Sequence, residues 1–141
     1  ELLFDPACTD VTGSFAGDYN DDLDVSYAET PVEQLPRAGT VWRRVVAIPP
    51  TATADGRYLI HLINLTGQPD THWDSARNPP GDPGPGTLRI RRMGSELPRV
   101  RYADPDARPT LTDIEVSVEG DYVVASLPSM KLWQVVVIEA R

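Results

Sequence analysis

The chain has one cysteine, Cys8, among 141 residues. An internal disulfide is therefore excluded, and so is a zinc cluster built on paired cysteines. No lysine or arginine occurs in residues 1–36. No apolar run approaches the roughly 20 residues that a membrane-spanning helix needs. No basic leader precedes an apolar stretch, and the chain opens on Glu1 without Met, as expected of a mature or excised piece. No segment keeps an apolar period of 3.6, so amphipathic helices are not expected. A phosphate-binding loop is missing too: "GDPGPG" (81–86) lacks both the lysine and the strand–helix setting. No strand–turn–helix motif presents a serine nucleophile.

Acid is abundant. The formal net charge is −8. Nine of the 21 acids lie in residues 1–36; the remainder of the chain has twelve acids and thirteen bases. This disfavours nucleic acid and anionic membrane as partners, since both are bound through phosphate contacts. Counted from Asp18, oxygen-bearing side chains stand at Asn20, Asp22, Asp24, Ser26 and Glu29, the ligand rhythm of a helix–loop–helix calcium site. The turn position that requires glycine is Leu23, and Gly13, Gly17 and Pro31 deny the flanking helices. A solvated acidic loop is favoured over a non-standard cation site made from Asp18, Asn20, Asp22 and Asp24. No cofactor is expected, and calcium is not favoured.

Most of residues 7–40 reads as extended loop. From Thr40 onward the texture is β-branched. Strands are expected at 40–48, 57–65, 87–92, 99–103, 114–118, 121–127 and 132–139. "RYLIHLINL" (57–65) is apolar on both alternating faces, which marks a central strand covered on both sides. Turns are expected at Asp55-Gly56 and Gly120-Asp121. Residues 66–86 hold five prolines and four glycines, too many for a helix or strand. A loop that long is often functional or mobile. The expected fold is all-β: an antiparallel, Greek-key-like β-sandwich of about seven or eight strands, with a long irregular N-terminal segment. Residues 1–39 are the acidic connector and 40–141 the sandwich.

Sequence alone singles out no catalytic group. His61, mid-strand among leucines and isoleucine, reads as a packed histidine, not a ligand. Trp42 and Trp133 alternate with apolar strand positions and read as core. Trp73, in the proline- and glycine-rich loop between His72 and Asp74, is the best candidate for an exposed aromatic. Sugar rings stack on such aromatics through their C–H faces, so Trp73, His72 and Asp74 are the candidate carbohydrate-binding residues.

Several segments carry a further signal: Glu1-Leu2-Leu3, then His61-Leu62-Ile63-Asn64 followed by Trp73-Asp74, then Asp104-Pro105-Asp106, and last Leu127-Pro128 with Leu132 and Trp133. Together they resemble the C-terminal β domain of glycoside hydrolase family 66, the dextranases and cycloisomaltooligosaccharide glucanotransferases. The resemblance covers most of residues 57–141 and, more loosely, the start. It implies a non-catalytic sandwich that supports the catalytic barrel of the same polypeptide, with residues 1–5 ending the last barrel helix. The family's catalytic carboxylates lie in that barrel, so none is carried over here. A bacterial, extracellular setting and an α-glucan or isomaltooligosaccharide partner are likewise implied by the resemblance. A stand-alone carbohydrate-binding module is the other function class.

Overall fold

A computed structural model of the chain describes residues 9–10, 23–27, 30–48, 57–72, 74, 76–92 and 95–139. Among the described residues the fold is all-β. The strands are β1 (Thr9–Asp10), β2 (Leu23–Tyr27), β3 (Val32–Glu33), β4 (Val41–Ile48), β5 (Arg57–Asn64) and β6 (Gly86–Arg91). They continue with β7 (Arg99–Asp104), β8 (Arg108–Ile114), β9 (Val116–Glu119), β10 (Tyr122–Leu127) and β11 (Trp133–Glu139). Seven strands make one sheet in the order β1-β4-β5-β11-β7-β8, with β3 beside β4. Four make the other, in the order β2-β6-β10-β9. The β3–β4 pair is parallel and the pairings between the other strands are antiparallel. The two sheets face each other as a sandwich, the expected class.

Alternation in β5 explains its place. It pairs with β4 on one side and β11 on the other. Tyr58, Ile60, Leu62 and Asn64 point toward the four-stranded sheet, while Leu59, His61 and Ile63 point away. Ile60, Leu62, Val136, Val45 and Val100 then meet Leu88, Val123, Ala125 and Leu127 in the main core. A smaller cluster of Leu59, Val135 and Val137, flanked by Val46, Leu111 and Trp133, lies on the outer face of the large sheet.

The acidic segment expected to be loop contains β2. Leu23, Val25 and Tyr27 are buried and Asp24 and Ser26 are exposed. The period-2 pattern was there; the acids around it hide it from any average over the segment. β8 departs from expectation as well. No strand is expected between residues 103 and 114, yet β8 begins at Arg108 and includes Pro109, which an edge strand tolerates. β8 pairs with β7 alone and is such an edge. The expected strand at 114–118 splits into the end of β8 and β9, which carry the chain from one sheet to the other. The Gly120-Asp121 turn between β9 and β10 is present, with Gly120 at φ 59°. The Asp55-Gly56 turn and residues 1–8 lie outside the described residues.

Tyr27 and Gly86 are register partners across β2–β6. A Cβ placed on Gly86 would stand 2.6 Å from the Tyr27 ring, so the ring needs glycine beneath it. The Tyr27 hydroxyl is buried and meets no partner among the described residues, and burial pushes the phenol's pKa up. Gly86→Ala should therefore cost about 1–3 kcal/mol through overpacking. Tyr27→Phe should cost nothing or stabilise slightly, because it removes an unsatisfied buried group. Urea midpoints of the two variants test this; a large loss in Tyr27→Phe would mean that the hydroxyl has a partner.

Candidate functional site

Asn64 ends β5 on its core-facing side and is buried. Its amide Nδ2 donates to the carbonyls of Gly81 and Lys131, both at 2.8 Å. Its Oδ1 accepts from the Thr66 backbone N–H at 3.0 Å and from the Thr66 hydroxyl. The Asn64 backbone N–H donates to the Leu132 carbonyl. One side chain thus ties three stretches of chain: the loop after β5, the far end of that loop, and the 128–132 approach to β11. Gln134 adds a bond from Nε2 to the Pro128 carbonyl. The Asp106 carboxylate accepts the Trp133 backbone N–H at 3.1 Å. Asp104 accepts from the N–H groups of Asp106 and Ala107 and forms the β7–β8 turn.

The described residues of the proline- and glycine-rich loop between Leu65 and Pro85 form no helix or strand, as expected. Its base is fastened. Gln68 Nε2 donates to the Asn78 carbonyl, and Asn78 Nδ2 donates to the Gly67 carbonyl. Gly67 has φ +75°, and a Cβ there would crowd the Gly81 nitrogen at 3.2 Å. The Asp82 carboxylate accepts from the Ser129 hydroxyl and the Gly84 N–H. Those two bonds hold its pKa below the usual carboxylate range. Such a group is an acceptor, the opposite of a general acid with a raised pKa.

The loop tip carries the candidate sugar-binding residues. His72 and Asp74 are exposed there, and Trp73 lies outside the described residues. The Arg77 guanidinium spans the tip, donating to the carbonyls of Asp70 and His72. Asp70 Oδ1 accepts the His72 backbone N–H at 2.8 Å. The tip is therefore shaped by its own side chains. Its described residues offer hydrogen-bonding groups to solvent.

Of the candidate cation ligands, Asp24 sits on β2 and is exposed on the outer side of the small sheet. Asp18, Asn20 and Asp22 lie outside the described residues. Among the described residues no three His, Cys, Asp or Glu side chains come together as a metal site.

Trp133 departs from expectation. It is half-buried and stacks on His61 at 5.9 Å between ring centroids, with 24° between planes. The two are diagonal neighbours across β5–β11, on the outer face of the large sheet. The strand alternates, and "LWQVVVIE" is apolar on both faces, so its sequence does not tell which face carries the tryptophan. Trp42 is also half-buried, and its Nε1 donates to the Gln34 carbonyl at 2.8 Å. Around the outer cluster, Arg101 pairs with Glu139 at 2.8 Å and Arg99 grips Asp113 with two hydrogen bonds.

The His61 pKa is lowered, first by burial and then by the Arg44 charge. A histidine whose folded pKa lies below its unfolded value of about 6.5 resists protonation only when folded. Its contribution to stability is complete above that pH and is lost as pH falls toward the folded pKa. The melting temperature should fall between about pH 7 and 5, and His61→Gln should flatten that fall. Parallel pH curves for wild type and variant would contradict this.

No family model and no curated protein matches the sequence. The fold does match solved structures. A cycloisomaltooligosaccharide glucanotransferase of Paenibacillus sp., solved with cycloisomaltoheptaose, superposes with a TM-score of 0.73 at 24% identity. The match takes in 96% of this chain and 18% of that one. The α-L-fucosidase isoenzyme 2 of Paenibacillus thiaminolyticus superposes with a TM-score of 0.52 at 16% identity, over 85% of this chain and 15% of that one. The chain thus spans less than a fifth of either enzyme. At these identities the likeness is one of fold.

Proposed function

We propose that this chain is a non-catalytic β-sandwich domain of a larger, secreted bacterial glycoside hydrolase that acts on an α-glucan, and that it supports the catalytic barrel of that polypeptide. The observation that carries the reading is the match of nearly the whole chain to a minor part of the glucanotransferase. The same sandwich matches part of a fucosidase, whose named activity is different. A part common to enzymes of different specificity is better suited to a scaffold than to a reaction centre. The site geometry supports it as well. Asn64, Asp106, Gln134 and Asp82, the polar groups held most closely, spend their bonds on main chain and turns.

A second reading, a module that binds carbohydrate by itself, is favoured by the exposed His72 and Asp74 on the shaped loop tip. Reducing-sugar release from dextran by the purified chain tests the first reading. No release above a heat-killed control is expected. Sustained release that tracks the folded chain would overturn it.

A further inference from the structure

We propose that the open cleft where β8 passes into β9 is a binding site for a neutral oligosaccharide. The site is separate from the loop tip and does not depend on a catalytic neighbour. The two sheets differ in width, seven strands against four. At one edge of the sandwich β8 of the large sheet leads directly into β9, the edge of the small sheet, and the large sheet's inner face lies beside that passage. On that face Val100 is buried to 1% exposure, while Tyr102, Thr112 and Ile114 on the same side of β7 and β8 are only half-buried. Tyr102, Thr112 and Ile114, together with residues of β9 and β10, line an open cleft of about 830 Å³. That lies within the roughly 300–1,000 Å³ of small-molecule sites.

The lining names the ligand class. Four hydroxyl-bearing residues, Tyr102, Thr112, Ser117 and Ser126, are among those that line the cleft. Asp113, Glu115 and Glu119 line it as well, and all three are exposed. Its end walls include Pro85 and Pro128. No lysine or arginine lines it, so a phosphate, sulfate or carboxylate would find only repulsion. Carboxylates accept from sugar hydroxyls as charge-assisted acceptors, and side-chain hydroxyls both donate and accept. The flat faces of two prolines and a tyrosine match the C–H faces of pyranose rings. An uncharged polyol uses all three features. A purely apolar ligand would leave the hydroxyls and carboxylates desolvated and unpaired.

The test is a ¹⁵N-resolved NMR titration of the whole chain with isomaltotetraose, maltotetraose and cellotetraose, and separately with tetralysine. At least one tetrasaccharide should move the amide signals of Thr112, Ser117 and Ser126 saturably, with no loss in added salt. The double variant Glu115→Gln, Glu119→Gln should weaken that binding about tenfold. Ser126→Trp, at an exposed position, should block it while the melt confirms folding. The proposal is overturned if none of the three sugars shifts these signals. It is also overturned if shifts are confined to residues 70–74. Shifts from tetralysine alone, erased by salt, would make the cleft a cation site and equally overturn it. In each of these cases the scaffold reading, tested by dextran hydrolysis, would still stand.

Discussion

Replacing Asn64 with Leu is expected to lower the unfolding free energy by about 3–5 kcal/mol. Leucine matches asparagine in shape closely enough to leave no large cavity, so the loss is one of hydrogen bonds. The Gly81 and Lys131 carbonyls would lose their donor. The Thr66 N–H and hydroxyl would lose their acceptor. Each buried group left unpaired costs about 1–3 kcal/mol, and partial solvent access reduces the sum. Asn64→Asp is the sharper probe. It keeps the acceptor for Thr66 but sets a carboxylate against two carbonyls, so it should be at least as harmful. Denaturant unfolding measures both. Hydrogen exchange should rise most at Thr66 and Gly81, where the loop base opens. A loss below about 1 kcal/mol in both variants would mean that the loop is held by something else.

Ile60→Ala should cost more than Trp133→Ala, although the tryptophan is the larger side chain. Ile60 is fully buried between the sheets, in register with Val45 on one side and Val136 on the other. Its truncation leaves a cavity that rigid neighbours cannot fill, at about 2–5 kcal/mol. A fully buried tryptophan would cost about 3–5 kcal/mol. Trp133 is only half-buried, on the outer face beside His61, and should cost about half that figure. Urea midpoints at fixed slope decide the order. A greater loss at Trp133 would put that ring back into the stability core.

Much of the sandwich was legible because period-2 patterns are local. β4, β5, β6, β7, β10 and β11 fall within a residue or two of where β-branched runs and turn residues place them. What was not legible depends on neighbours. β2 is only five residues long and stands among acids, and the seat of its Tyr27 ring depends on Gly86 of another strand. Pro109 argues against a strand until β8 is known to be an edge. The face of Trp133 depends on which side of β11 the small sheet covers.

Asn64 was half legible. It follows Tyr58, Ile60 and Leu62 on the core-facing side of β5, and a buried amide must find partners. Its partners, near residues 81 and 131, lie at separations of 17 and 67 residues, which no local pattern reveals. The segments that resemble family 66 are in part those that Asn64, Asp104, Asp106 and the 127–133 stretch bind together. The cleft beside β8 and β9 left no mark in the sequence.

The measurement that bears most directly on the scaffold reading removes the domain. In the longer glycoside hydrolase that the proposed function assigns to this chain, residues 9–139 are deleted, and melting temperature and kcat/KM on a short isomaltooligosaccharide are compared with the intact protein. The account predicts a melting temperature lower by several degrees, because a supporting interface is gone, and kcat/KM per folded molecule retained within about threefold. A truncated enzyme that melts as before but has lost its turnover would contradict it, since the domain would then supply chemistry and not support.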